Sequence, residues 1–162
     1  MIFSASGKPP RRILCAFAAL FAAMLLLCAC GPKGAVMRDG FYSAEALDFD
    51  EYGWKEYITI YVADNTIITV DYNAKNASGF IKSWDMEYMR LMNAVDGTYP
   101  NKYTREYAEA LLIRQNPERV DAISGATHSY HSFQSLVKAA VAQSLSGDKN
   151  VAYVDLTGAT DQ

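Results

Sequence analysis

Trp54-Lys55-Glu56-Tyr57-Ile58-Thr59-Ile60-Tyr61-Val62 alternates with a period of two. Trp54, Glu56, Ile58, Ile60 and Val62 fall on one face, and Lys55, Tyr57, Thr59 and Tyr61 on the other. That period puts successive side chains on opposite sides of a pleated strand, and the β-branched and aromatic content suits one. Asp64-Asn65 is a turn pair, and Thr66 to Ala74, again rich in β-branched residues, reads as the returning strand. Phe41 to Leu47 reads as a strand before them, so the first half of the domain predicts an antiparallel meander.

The period then changes. Trp84, Tyr88, Leu91, Met92 and Val95 recur at helical spacing, as do Tyr103, Tyr107, Ala110, Leu111 and Arg114 up to a stop at Asn116-Pro117. Phe133, Leu136, Val137, Ala140, Val141 and Leu145 form a third stripe, with Gly147 placed as a C-terminal stop. Strands first and helices later predict an α+β fold: one domain, an antiparallel sheet meander with helices packed on one face. Residues 148–162 read as a tail with a short strand at Val151 to Asp155.

The first 30 residues are of a different kind. Lys8, Arg11 and Arg12 precede Ile13 to Leu27, which is apolar apart from Cys15 and short for a membrane span. The run ends in Leu27-Cys28-Ala29-Cys30. An aliphatic residue three before a cysteine and a small one just before it resemble a bacterial lipobox. The resemblance implies a signal peptide over 1–29, diacylglycerol and further acyl chains such as palmitate on Cys30, and a tether over 30–38. Cys28 fits less well, because bulky Leu27 precedes it; an uncleaved signal anchor is the other reading of the segment. All three cysteines lie at or before position 30, so the domain after them carries neither thiol nor disulfide. The same 30 residues hold three basic and no acidic side chains, leaving 12 basic against 18 acidic and a net charge of −6. An acidic domain argues against nucleic acid as a partner, and leaves membrane attachment to the lipid instead of a polybasic patch.

Asp121-Ala122-Ile123-Ser124-Gly125-Ala126-Thr127 carries the chemistry. It is a small, polar loop that ends in a hydroxyl where a helix begins, and helix N-termini favour anions. By itself it also reads as an ordinary loop with a capping threonine. Asp121 with Ser124-Gly125-Ala126-Thr127, continued by Ser129, resembles the flavinylation motif of the FMN-binding domain family. Asp39-Gly40-x-Tyr42, Gly53-Trp54 and Gly79 with Lys82-Ser83 extend the resemblance over about residues 39–145, within a domain that reads as 39–147. It implies covalent FMN, joined to Thr127 as a phosphoester by an FAD:protein FMN transferase. It also implies an exported flavoprotein, lipid-anchored on the outer face of the cell membrane, taking electrons from a membrane quinol or dehydrogenase and passing them to an acceptor of unknown kind. Such a protein is an electron carrier more than a catalyst with its own substrate. Ser124, Gly125, Ala126, Asp121 and Ser129 are then cofactor-binding candidates beside Thr127. Trp54 and Trp84 are candidates to stack on the flavin ring, and Lys82 to supply positive charge, although a lone lysine is more often solvated.

Three competing readings remain on the residues alone. A surface lipoprotein using the same fold without flavin would serve as a binding module or antigen. His128, His131 and Asp121 are a weak metal set. Ser124 with His128 lacks an orienting acid, and the chain has no Gly-x-Ser-x-Gly, no Gly-x-Gly-x-x-Gly and no Cys-x-x-Cys-His. Asp155-Leu156-Thr157-Gly158-Ala159-Thr160 is a near-copy of the loop with no helix behind it, and reads as a loose tail.

Overall fold

The computed structural model describes residues 35–157. Cys30, the signal segment and Gly158 to Thr160 of the tail copy lie outside the described residues. Four strands are present, β1 (Gly40–Ala46), β2 (Lys55–Ala63), β3 (Thr66–Lys75) and β4 (Ala152–Val154), with three helices, α1 (Met86–Asp96), α2 (Pro100–Arg114) and α3 (Thr127–Ser146). The sheet order is β3-β2-β1-β4.

The alternation of β2 is realised residue by residue: Glu56, Ile58, Ile60 and Val62 are buried and the residues between them are half-buried. Asp64 and Asn65 both take positive φ, 49° and 58°, the backbone that a two-residue turn between twisted strands requires. Tyr42, Ala44, Ile58, Ile60, Val62, Ile67 and Tyr72 turn one face of the sheet toward the helices. Tyr103, Tyr107 and Leu111 of α2, and Phe133, Leu136, Val137 and Ala140 of α3, close the core over it. The other face is wet, with Ser43 Oγ and Thr59 Oγ1 sharing a hydrogen bond of 2.8 Å and Glu45 between Lys55 at 3.3 Å and Lys75 at 2.8 Å. One dry and one wet face is what antiparallel hairpins permit.

Two features depart from the sequence reading. The sheet is mixed, because β4 joins the free edge of β1 in parallel, Ala44 opposite Ala152 through Ala46 opposite Val154. The chain reaches that edge through the long helix α3, and a parallel pair needs a long connection of this kind, which a tight hairpin cannot supply. The second departure is α1. It forms, capped by the Asp85 carboxylate accepting from Tyr88 N at 3.0 Å and stopped by Gly97 in the left-handed region, but it buries none of its residues. Trp84 precedes it in a 3-10 turn and is 65 % exposed, and Leu91 and Val95 are 59 % and 84 % exposed. Only Met92 of this stripe packs against the core. No helix among the described residues is long and apolar enough to cross a membrane.

Candidate functional site

The loop before α3 is held by its backbone and by one tyrosine. Ala126 N donates to Ile123 O at 2.9 Å, closing a four-residue turn whose third residue, Gly125, has φ +78°. A positive φ at that position is the requirement of a type II turn. Gly125 is also pressed against the α1–α2 link, where an added Cβ would lie 2.4 Å from Asp96 O and 3.1 Å from Thr98 Cγ2. Behind the loop, Tyr107 Oη accepts from Ile123 N at 3.0 Å and donates to Ala126 O at 3.1 Å. Among the described residues Asp121 makes no hydrogen bond or ion pair; the loop is braced instead by Tyr107, which sequence spacing could not connect to it.

Tyr107→Phe keeps the ring stacked on Phe133 at 5.1 Å and removes only the hydroxyl. Ala126 O retains Tyr130 N as a donor at 3.0 Å, so the loss is one acceptor for Ile123 N. The expected cost is about 1–3 kcal/mol in urea unfolding, with faster amide exchange at Ile123.

Thr127 is the first residue of α3 and is exposed, as is Ser124. The N-cap, Ala126, offers no side-chain acceptor, so it leaves the first N–H groups of α3 unclaimed. His128, the next residue, lines a cleft of about 550 Å³. The loop between β1 and β2 lines it with Phe49, Tyr52 and Trp54, and Glu56, Ser132 and the segment Asp155 to Thr157 also line it. Asp50 shapes that loop: its Oδ1 accepts from Tyr52 N at 2.9 Å and Trp54 N at 2.7 Å. A volume of this size, with Phe49, Tyr52 and Trp54 set beside the carboxyl groups of Asp48, Asp50, Glu51, Glu56 and Asp155, is in the range of small-molecule sites.

The structure separates the two tryptophans. Trp54 is buried at the cleft and meets Tyr88 edge-on at 6.1 Å between ring centroids, whereas Trp84 is exposed, meets the Phe80 ring and does not line the cleft. Lys82 is not solvated. It is 6 % exposed, with Nζ 5.7 Å from the Trp54 ring and 5.1 Å from that of Tyr88. Burial pushes its ammonium pKa down, while the charges of Glu56 and Asp50 pull it up. Ser129 is buried, and its carbonyl accepts from Tyr72 Oη at 2.8 Å. Ser132 is buried one turn further on. These two serines extend the inward face of α3 beyond its apolar stripe. His131 meets Tyr130 edge-on at 5.4 Å, and no group of three or more metal-ligating side chains converges among the described residues.

The sequence profile of the FMN-binding domain matches residues 52–142, a span from the cleft wall through Thr127 to most of α3. A relative, the 15 kDa lipoprotein of Treponema pallidum (strain Nichols), is 40% identical over 111 residues, covering 68% of this chain and 79% of its own length. The fold is shared with a Clostridium perfringens protein of known crystal structure, at a TM-score of 0.72 and 30% identity, over 74% of this chain and 98% of that one. With more than half of its length matched, this chain belongs to the FMN-binding domain family.

Proposed function

We propose that the protein is a lipid-anchored, extracytoplasmic flavoprotein that carries FMN covalently on Thr127 and relays electrons between a membrane donor and an acceptor. The observation that carries this reading is the place of Thr127: an exposed hydroxyl on an uncapped helix start, one residue from the lip of an aromatic-walled cleft. A phosphoryl group on Thr127 sits at the positive end of α3, and a ring system attached to it has the cleft within reach. The cleft suits a flavin, with Trp54 and Phe49 offering flat apolar surface and the buried Glu56 Oε2 lacking a hydrogen-bond partner among the described residues. Bound there, the flavin supplies one- and two-electron chemistry that no side chain of the domain provides.

Attachment by an FAD:protein FMN transferase balances simply. The Thr127 oxygen forms a bond to the phosphorus of the FMN half, the pyrophosphate bond of FAD breaks, AMP departs and the hydroxyl proton goes to solvent. A covalent bond suits a protein outside the cytoplasm, where a dissociated cofactor diffuses away. The Leu27-Cys28-Ala29-Cys30 motif and the lipoprotein relative support anchoring through Cys30.

The test is expression of the full chain in an exporting bacterium together with the transferase. The expected product partitions into detergent, fluoresces as flavin after denaturation, and yields a Thr127 peptide heavier by one FMN less one water. A dark band with no mass increase supports the non-redox lipoprotein instead.

A further inference from the structure

Glu56 breaks the pattern of its own strand. The inward positions of β2 that follow it are Ile58, Ile60 and Val62, all fully buried, and Glu56 sits in line with them at 7 % exposure. A carboxylate there loses hydration and needs a partner to offset it. It has no contact ion pair: the salt bridges among the described residues are Lys55–Glu45, Lys75–Glu45 and Lys138–Glu118. Its Oε2 is buried without a hydrogen-bond partner among those residues, and the side chain lines the cleft beside His128 and Ser132.

The groups around it come from every neighbouring element. Lys82 lies before α1, Tyr88 on α1, Tyr72 on β3, Tyr103 on α2, and His128, Ser129 and Ser132 on the first turns of α3. Asp50 acts on Lys82, and Asp155 lines the same cleft. Burial pushes the Glu56 carboxyl up, while Lys82, Ser132, His128 and Ser129 pull it down. Burial is the larger influence, so the carboxyl sits above its ordinary range, the direction that favours taking up a proton when negative charge is added nearby.

We propose that Glu56 is the redox-linked proton acceptor of the cleft, taking up one proton as an electron pair enters the site and releasing it when the pair leaves. The inference rests on the flavin occupying this cleft. The balance is Glu56 carboxylate plus one solvent proton giving the carboxylic acid, in addition to the reduction of the oxidised flavin by two electrons from an external reductant and any proton that the ring itself takes from solvent. Exposed His128 lines the same cleft, which is open to solvent beside Glu56, so solvent can supply the proton. Lys82, clamped by Trp54 and Tyr88, is a positioning residue whose positive charge offsets part of the negative charge that Glu56 shares with Asp48, Asp50, Glu51 and Asp155 on the cleft lining.

The experiment is a dithionite titration of the flavinylated full chain, wild type and Glu56→Gln, with mediator dyes across a range of pH. Between the Glu56 midpoints of the oxidised and reduced protein, the wild-type potential is expected to fall more steeply by about 30 mV per pH unit, the value for one proton per two electrons. Glu56→Gln lacks that extra slope and has the higher potential at the alkaline end, because it carries no charge there. Should the variant not fold, infrared difference spectra of ¹³C-glutamate-labelled wild type give the same answer: a protonated glutamate carboxyl band is expected to appear on reduction. Parallel potential–pH lines, or a reduction spectrum without that band, overturn the proposal. A chain that never acquires flavin has no potential to measure; that result overturns the flavoprotein reading and takes this proposal with it.

Discussion

Thr127→Ala is expected to reduce flavin attachment to background and to leave the fold as stable as before. The two halves of that outcome have separate causes. Thr127 is exposed, forms no side-chain hydrogen bond among the described residues and occupies the first position of α3, where alanine is a good helix former. Surface changes of this kind move stability by less than about 0.5 kcal/mol. Attachment, in contrast, needs an oxygen to bond to phosphorus, and the alanine methyl has none. Thr127→Ser restores the oxygen and is expected to restore the flavin. Intact mass and fluorescence of the denatured chain read attachment, and urea unfolding reads stability. Fluorescence that persisted in Thr127→Ala would move the attachment elsewhere, with Thr160 of the tail copy examined first. A large loss of stability would mean that Thr127 is structural after all.

The pair of Thr127 and its helix was legible in the sequence because both are local: a small polar loop, then an apolar stripe at helical spacing. The same holds for β2 and its Asp64-Asn65 turn. What was not legible depends on contacts distant in sequence. Lys82 looked solvated because nothing nearby in the chain says that the Trp54 and Tyr88 rings fold over it. Alternation puts Glu56 on the correct face, but it cannot say that a carboxylate on that face is buried without an ion partner among the described residues. Tyr107 read as one more stripe residue, yet its hydroxyl reaches Ile123, 16 positions later. The apolar periodicity of α1 predicted burial that does not occur, since a stripe defines which side of a helix is apolar and not whether another element covers it. The parallel β4 was equally hidden, because strand direction follows from where α3 delivers the chain.

Gly125→Ala is expected to do what Thr127→Ala does not, lowering stability and attachment together. Gly125 has φ +78°, where an L side chain costs about 1–2 kcal/mol. The added Cβ also meets Asp96 O at 2.4 Å, Asp96 Cβ at 3.0 Å and Thr98 Cγ2 at 3.1 Å. The closest of these is a backbone carbonyl at the end of α1, which Gly97 fixes by donating its N–H to Asn93 O at 3.2 Å. Thr98 is buried and has no room to retreat. Such overpacking costs a further 1–3 kcal/mol or so, for a total of about 2–5 kcal/mol. The chain can escape part of that cost by lifting the loop from the α1–α2 link, and the lift carries Thr127 away from its place at the cleft. An unfavourable seating of about 2 kcal/mol lowers the seated fraction roughly 30-fold, and attachment is expected to fall with it. Urea midpoints and flavin incorporation, measured on the same preparations, check both effects. Ser124→Ala is the control, since Ser124 is exposed and makes no side-chain hydrogen bond among the described residues, so its urea midpoint should stay near wild type. A Gly125→Ala protein that unfolded at the wild-type midpoint and carried full flavin would show that the transferase does not need the loop seated on Asp96 to Thr98, and that Thr127 is recognised as an extended peptide instead.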